Sequence, residues 1–107
     1  MLKKNYEFKR ILTKGTYYSG KYIEALLLRH PDQQNQLGLA ISVKVGKAVK
    51  RNHIKRLLRE SYLALEGELQ EGISVVFLWK KKISVDEATF SRIQADMSHI
   101  FHQAKVM

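Results

Sequence analysis

Cysteine is absent from this chain of 107 residues, and proline and tryptophan occur once each. The lack of cysteine excludes a disulfide framework, a thiolate nucleophile and a zinc site built on sulfur. Long hydrophobic runs are also missing, because the most apolar segment, Ile73 to Trp79, is too short to span a bilayer. The sequence has neither a Gly-rich phosphate loop nor a Ser, His and carboxylate grouping typical of a nucleophilic enzyme. We therefore expect a soluble, cytoplasmic protein that has no catalytic residues of its own and no membrane partner.

Positive charge is what the sequence has in excess. Lys and Arg number 19 against 10 acidic residues, which gives a formal net charge of +9 at pH 7. Most of these cations fall in three clusters, at residues 1–21, at residues 44–59 and at Lys80 to Lys82, and the second cluster contains no acid. If these cations served only to solvate the surface, they would not need to be grouped in a long segment without acids. Nucleic acid is therefore the expected partner.

The apolar pattern predicts one α+β domain over residues 1–107 with the element order αβββαβα. Asn5 is placed to cap a short first helix, and Gly15 is placed to end it. Strands are predicted at Tyr22 to Arg29 and at Leu37 to Val43, where larger apolar residues alternate with small ones. The polar residues 30–36 between these strands predict a hairpin loop.

A helical period begins near residue 50 and predicts one buried stripe on an amphipathic helix. The stripe consists of Ile54, Leu57, Leu58, Ser61, Tyr62 and Leu65. Arg51, Lys55 and Arg59 follow one another at one-turn spacing on an adjoining face, which Asn52 and Arg56 extend. This helix is therefore predicted to have one apolar face and one cationic face.

The remaining chain predicts a central strand and a last helix. Ile73 to Trp79 is β-branched and apolar on both faces, as a central strand requires. Asp86 is placed to start the last helix. Its predicted core positions are Phe90, Ile93, Met97, Ile100, Phe101 and Ala104. His99 and His102 lie one turn apart, but no third ligand is evident, so no metal site is expected.

Residues 38–60 join a strand, a turn expected to be flexible at Gly46, and the cationic helix. This segment resembles the protein subunit of bacterial ribonuclease P, whose hallmark is a glycine-containing strand ending in serine and lysine, followed by Gly-x-Ala-Val-x-Arg-Asn-x-x-Lys-Arg-x-x-Arg. The matching positions are Gly38, Ser42, Lys44, Gly46, Ala48, Val49, Arg51, Asn52, Lys55, Arg56 and Arg59. The resemblance implies a small four-stranded mixed sheet with helices packed on it. It also implies a left-handed β-α-β crossover, as in the ribosomal protein S5 domain 2-like fold, instead of the usual right-handed one.

The resemblance also implies a function. The family's protein assists a catalytic RNA in binding precursor tRNA through its 5′ leader and in the endonucleolytic removal of that leader. Mg2+ is needed by the holoenzyme and is expected to be held mainly by the RNA, and no obligate protein partner is expected. The residues implied to face the catalytic RNA are Lys44, Lys47, Arg51, Asn52, Lys55, Arg56 and Arg59. The residues implied to line a leader-binding cleft are Phe8, Leu12, Tyr17 and Tyr22.

Three positions depart from the family pattern. His53 and Val43 stand where the family usually has a second arginine and a second lysine, and Leu12 stands where a second aromatic residue is frequent. Each change weakens an expected RNA contact, since neutral histidine and valine lack the charge and leucine cannot stack on a base. Tyr17, Tyr18 and Tyr22 are the candidates to compensate for the missing aromatic ring.

Several alternatives remain open at this point. Phe8 also fits a core position, Asn52 also fits a helix cap, and Lys80 to Lys82 fit either a solvated strand end or a phosphate contact. A general RNA-binding module, such as a small ribosomal-type protein, would show the same excess of charge. A helix-turn-helix reader is disfavoured because the cationic helix follows a strand instead of a partner helix.

Overall fold

The computed structural model describes residues 5–31 and 33–107, in which three α-helices and one four-stranded sheet follow the predicted order. The elements are α1 (Asn5–Lys14), β1 (Thr16–Ser19), β2 (Ile23–Arg29), β3 (Gln36–Leu39), α2 (Ala48–Leu65), β4 (Ile73–Trp79) and α3 (Phe90–Gln103). The α+β class and the mixed four-stranded sheet are thereby confirmed. The cap predicted for Asn5 stays a prediction, and Lys3, Lys4 and Asp32 lie outside the described residues.

The strand order in the sheet is β1-β2-β4-β3. β4 pairs antiparallel with β2 on one side and parallel with β3 on the other. The hairpin predicted for residues 30–36 is therefore wrong, because this segment passes from β2 across the end of β4. Asn35 fastens it there, since its Oδ1 accepts from Ile73 N at 2.9 Å and its Nδ2 donates to Gln70 O at 3.0 Å. The parallel β3-α2-β4 crossover is present, and its left hand stays a prediction.

The helices pack on opposite faces of the sheet. Ile23, Ala25 and Leu27 of β2 point into a large core shared with α2 and α3. The alternate residues Leu26 and Leu28 point to the other face, where they contact a smaller cluster centred on Ile11 of α1 and Val76 of β4. Both faces of β4 are covered in this way, which explains why it is apolar at every position except Ser74.

α2 and β4 match the sequence prediction closely. The buried residues of α2 are the predicted stripe from Ile54 to Leu65, and β4 has the predicted bounds, Ile73 and Trp79. Trp79 is a core residue, as expected, and its indole Nε1 donates to Ile83 O at 2.8 Å. Strong periodicity and a continuous apolar run therefore sufficed for the two elements that meet at the centre of the core.

The predicted start of the last helix at Asp86 is wrong. Asp86 lies in a short 3-10 helix, Val85–Glu87, and α3 begins at Phe90 after an N-cap at Thr89, whose side chain accepts from Arg92 N at 3.3 Å. The chain between β4 and α3 contains two N-cap residues, Ser84 and Thr89, and the second of them starts α3. Phe90 consequently lies in the first turn and is 39% exposed, so its predicted core position is wrong.

The third strand is shorter than predicted. β3 ends at Leu39, and the chain then enters a 3-10 helix, Val43–Val45, whose N-cap Ser42 accepts from Lys44 N at 3.2 Å. The alternation of large and small residues through Val43 is therefore not strand structure to its end. This early ending places Ser42 and Lys44 at a corner of the sheet, ahead of α2.

Ser61 offers a test of packing between α2 and α3. It is fully buried, and its hydroxyl has no hydrogen-bond partner among the described residues. Because an unsatisfied buried hydroxyl destabilises the folded state, Ser61→Ala is expected to raise the free energy of unfolding by about 1 kcal/mol, as measured by urea denaturation. An equal or lower stability in Ser61→Ala would contradict this expectation, and Ser98→Ala on α3, which is half-buried, provides the control.

Candidate nucleic-acid interface

The start of α2 is strongly electropositive. Lys47 is the N-cap and forms no capping side-chain bond in the described structure, and the first turn contains no acid. The free backbone N–H groups at a helix start favour an anion, and the lysines before it add to this potential. Asn52 lies well inside the helix, so the alternative that it caps α2 is wrong.

A cationic strip follows the exposed side of α2. Arg51, Lys55 and Arg59 repeat at one-turn intervals, and a rise of 1.5 Å per residue places the first about 12 Å from the last along the axis. Arg56 and Asn52 widen the strip on its exposed side. Lys44 and Lys47 continue it onto the segment before the helix. Five of the seven predicted RNA-facing residues thus lie on α2, and Lys44 and Lys47 lie in the segment that leads into it.

Few of these cations are neutralised by neighbours. Arg56 Nε lies 3.0 Å from Glu60 Oε1, in an exposed pair one turn apart. Lys50, on the other flank of α2, lies 3.2 Å from Asp86 Oδ1. Within residues 5–31 and 33–107, the other cations of this cluster form no salt bridge; they are Lys44, Lys47, Arg51, Lys55 and Arg59. Their charge is therefore available to an external polyanion.

Two of the three residues that depart from the family pattern lie on α2 or just before it; they are His53 and Val43. His53 lines a groove with Lys50, Val85 and Asp86, on the flank away from Arg51 and Lys55. Val43 is 75% exposed in the 3-10 helix before α2. His53 is thus directed to the segment between β4 and α3, and Val43 adds apolar surface where a lysine would add charge.

Gly46 does not form the turn that was predicted, and its flexibility stays a prediction. Its φ of 164° and ψ of −172° are extended backbone, which any residue adopts. A Cβ atom at this position would lie 3.6 Å from Val85 Cγ1, an ordinary contact. The connection into α2 therefore has the backbone of a normal extended segment.

A second candidate surface is a cleft on the sheet face that α1 occupies. Ile11 of α1 covers the middle of this face beside Val76, but the end of the sheet near Glu24 and Leu78 stays open. The cleft has a volume of about 440 Å³. Its lining residues are Tyr17, Glu24, Ala40, Ser42, Leu78, Trp79, Lys80, Lys81 and Lys82. Small side chains on the β3 side leave this space free, as the alternation in the sequence suggested.

Three of the four predicted cleft residues lie on this side of the sheet. Phe8 is half-buried and packs against the cluster that includes Leu78 and Ala40 of the cleft. Leu12 is 49% exposed on α1. Tyr17 is 54% exposed at the cleft, and its hydroxyl donates a hydrogen bond to the Glu24 carboxylate, which raises the pKa of the tyrosine. Phe8 therefore has both a packing contact and a partly open ring.

The structure does not bring Tyr22 together with the other three. Its ring stacks on Trp79, with centroids 6.2 Å apart, and packs against the core on the α3 side. Lys21 and Arg92 approach the same ring at 5.5 and 5.8 Å from its centroid. The reason is local: the chain turns between β1 and β2 at Ser19 to Tyr22, so the spacing from Tyr17 gives no information about the face.

Asp96 is a residue that the sequence reasoning missed. Although it belongs to the buried face of α3, its carboxylate accepts three backbone N–H bonds from the β1-β2 turn, from Lys21 at 2.6 Å, Tyr22 at 2.8 Å and Ile23 at 2.9 Å. Gly20 closes over it, since a Cβ there would come within 2.5 Å of the carboxylate. A single acid between Ile93 and Met97 in an otherwise apolar stripe was the available signal.

Two kinds of site are not found among the described residues. None of their helices combines the length and the hydropathy that a bilayer span requires. Nor do three His, Asp or Glu side chains from residues 5–31 and 33–107 converge as metal ligands. His102 Nδ1 instead contacts Ser98 O, one turn back on α3, at 2.8 Å.

Comparison with known proteins gives one consistent result. The family model described as Ribonuclease P matches residues 1–105. A ribonuclease P protein component from Natranaerobius thermophilus is 32% identical over 106 residues, which cover 99% of this chain and 90% of that protein. One from Caldanaerobacter subterraneus is 36% identical over 99 residues, with 92% and 84% covered. A solved structure of the Staphylococcus aureus RNase P protein superposes with a TM-score of 0.84 at 27% identity, covering 98% of this chain and 94% of that one.

Proposed function

Since the chain belongs to the ribonuclease P protein family and is thus a protein subunit of that tRNA-processing endoribonuclease, we propose that it binds a catalytic RNA through α2 and a precursor tRNA leader through the sheet cleft. The observation that supports this most directly is the cationic strip. Five cations of the strip form no salt bridge within the described residues, and they lie on or just before a helix whose apolar stripe is buried in the larger core. A general ribosomal-type module is not favoured, because the family match extends over residues 1–105.

Cations on a rigid helix suit a folded RNA. Arginine binds phosphate oxygens in a bidentate manner, whereas lysine supplies mobile point charge, and both types are present on the strip. Arg56 exchanges an exposed carboxylate for a phosphate at little cost, since a surface ion pair contributes about 0 to 1 kcal/mol. We therefore assign the catalytic RNA to the strip on α2.

The cleft suits a single strand. It spans the sheet from β1 to β3, three strand spacings of about 4.8 Å, so that its width is roughly 14 Å. Phe8 and Tyr17 offer partly exposed rings for stacking with bases, and Lys80 to Lys82 offer charge to phosphates. Ser42 lines the cleft while Lys44 begins the strip, so the two RNA surfaces adjoin at the corner before α2.

The chemistry belongs to the RNA in this proposal. The described residues present no group of three carboxylates or histidines that would fit Mg2+. RNA phosphates supply the hard oxygen ligands that Mg2+ prefers. The protein's contribution is to hold the leader next to the catalytic RNA, in the cytoplasm, where precursor tRNA is processed.

The test compares a leader-bearing precursor with mature tRNA, using holoenzyme reconstituted from purified protein and its cognate RNA. We expect the protein to permit cleavage at low Mg2+ and to increase affinity for the precursor only. Phe8→Ala is expected to reduce precursor affinity about tenfold, since stacking contributes about 1 to 3 kcal/mol per base, and to leave mature tRNA binding unchanged.

Two outcomes would overturn the proposal. If the RNA cleaves the precursor at low Mg2+ equally well with and without the protein, the proposed role in leader processing is overturned. Equal losses for precursor and mature tRNA in Phe8→Ala would assign Phe8 to the core alone. Phe90→Ala is the matched control, because Phe90 is an exposed aromatic residue at the start of α3, which packs on the sheet face opposite to Phe8 and the cleft.

A further inference from the structure

An acidic residue lies inside the candidate leader cleft. Glu24 lines it together with Lys80, Lys81 and Lys82, and it is the only acid among the lining residues that the structure describes. Its position is set by the sheet: Glu24 of β2 pairs with Ser19 on β1 and with Leu78 on β4. Since Leu78 belongs to the α1 face, Glu24 points to the floor of the cleft.

The tyrosine beside Glu24 is oriented by a hydrogen bond. Tyr17 pairs with Leu26, so it is a diagonal cross-strand neighbour of Glu24, and its hydroxyl donates to the carboxylate. The ring remains more than half exposed despite this bond. A stacking platform that is already oriented loses less conformational entropy when a base binds to it.

The charges in the cleft give a bound strand a direction. A phosphate is repelled by Glu24 and attracted by the lysines after β4, so the backbone is expected to pass along Lys80 to Lys82. The base attached to that backbone then extends toward Tyr17 and Glu24. A carboxylate in this place meets a base edge and not a phosphate.

An ionised carboxylate only accepts hydrogen bonds. Cytosine, adenine and guanine present an exocyclic amino group that donates to it, as in the pairing of Glu or Asp with the N4 amino group of cytosine. Uracil has a carbonyl oxygen where cytosine has that amino group, and its one donor on this edge, N3–H, lies between two carbonyl oxygens that repel a carboxylate. A carboxylate at this place therefore favours a base that has an exocyclic amino group.

We propose that Glu24 is a specificity residue of the cleft, which favours a leader nucleotide with an exocyclic amino group over uridine at the position that stacks on Tyr17. This inference rests on the proposed leader cleft and adds a base preference to it. Glu24 acts on the base directly through its carboxylate and also through Tyr17, whose ring it holds.

The experiment measures the affinity of reconstituted holoenzyme for two precursors that differ only in leader bases, one with cytidines and one with uridines. The native protein is expected to bind the cytidine leader about tenfold more tightly, in line with a hydrogen bond to a charged group. Glu24→Gln is expected to bring this ratio close to one, because an amide both donates and accepts. Tyr17→Phe keeps the ring and the carboxylate, so it is expected to preserve the ratio.

The controls distinguish a failure of this inference from a failure of the proposed leader cleft. Glu68→Gln makes the same change of charge on an exposed residue beyond α2, and it is expected to keep the native ratio. If precursor and mature tRNA bind native holoenzyme equally, the proposal that the cleft binds the leader is overturned. If the leader increases affinity but cytidine and uridine leaders bind alike, or if Glu24→Gln leaves a preference intact, only the role of Glu24 is overturned.

Discussion

Replacing Arg51, Lys55 and Arg59 together by glutamine is expected to weaken binding to the catalytic RNA by about 10²- to 10³-fold at 0.1 M salt. Each cation that neutralises a phosphate releases counterions, and three lost contacts are expected to reduce the slope of log affinity against log salt by roughly 2 to 3. The three side chains lie outside the buried stripe of α2, so the fold is expected to remain intact. Filter binding over a series of salt concentrations measures both quantities.

Lys50→Gln is the matched control for this prediction. Lys50 belongs to the same helix, but it pairs with Asp86 on the opposite flank, and its loss is expected to leave the slope nearly unchanged. Arg59→Gln alone is expected to reduce the slope by about 1. A similar effect of Lys50→Gln and Arg59→Gln would show that total charge, and not the strip, determines RNA affinity.

The second large effect is expected from Asp96→Ala, which should lower the free energy of unfolding by about 3 to 5 kcal/mol. The substitution leaves the N–H groups of Lys21, Tyr22 and Ile23 without their acceptor in a partly buried position. For a domain of this size, the midpoint of thermal unfolding is then expected to fall by more than about 12 °C. Calorimetry and urea denaturation provide the measurement.

Asp96→Asn gives a graded comparison in case Asp96→Ala does not fold. The asparagine keeps one acceptor oxygen but places an amide donor against a backbone donor, so an intermediate loss of stability is expected. Asp86→Ala is the control, because the side chain of Asp86 is 80% exposed and a surface change of this kind shifts stability by less than about 0.5 kcal/mol. A loss below about 1 kcal/mol in Asp96→Ala would show that water replaces the carboxylate at this turn.

The sequence predicted those parts of the fold that local pattern determines. The buried stripe of α2 and the bounds of β4 needed only periodicity and apolar run length. The end of β3 and the start of α3 were misplaced because each depends on a choice between neighbouring signals, at Ser42 and at Thr89, that tertiary packing decides. The false hairpin has the same origin, since β2 and β3 are separated by a strand that comes much later in the chain.

The candidate sites show a similar division. The residues of the strip followed from helical spacing together with the family resemblance, and the structure places them on α2 and in the segment before it. The cleft was predicted less well, because it depends on which sheet face each strand residue occupies. Tyr22 lies on the α3 side for that reason, while Glu24, which no motif marks, lies inside the cleft. The contact between Asp96 and the β1-β2 turn joins residues over 70 positions apart, so no local pattern shows it.

The position of β4 between β2 and β3 also bears on the order in which the protein forms during synthesis. The ribosome delivers the cationic helix before the strand that completes the sheet beneath it. Until β4 emerges, β3 has no neighbour to pair with, and the apolar stripe of α2 lacks Phe77 and Phe101, against which the core closes. A nascent chain that ends before residue 73 therefore has the cations of the proposed strip but lacks the strand and the last helix that complete the core beneath α2. We expect α2 to acquire its packed position only with the last third of the chain, which itself contributes none of the strip.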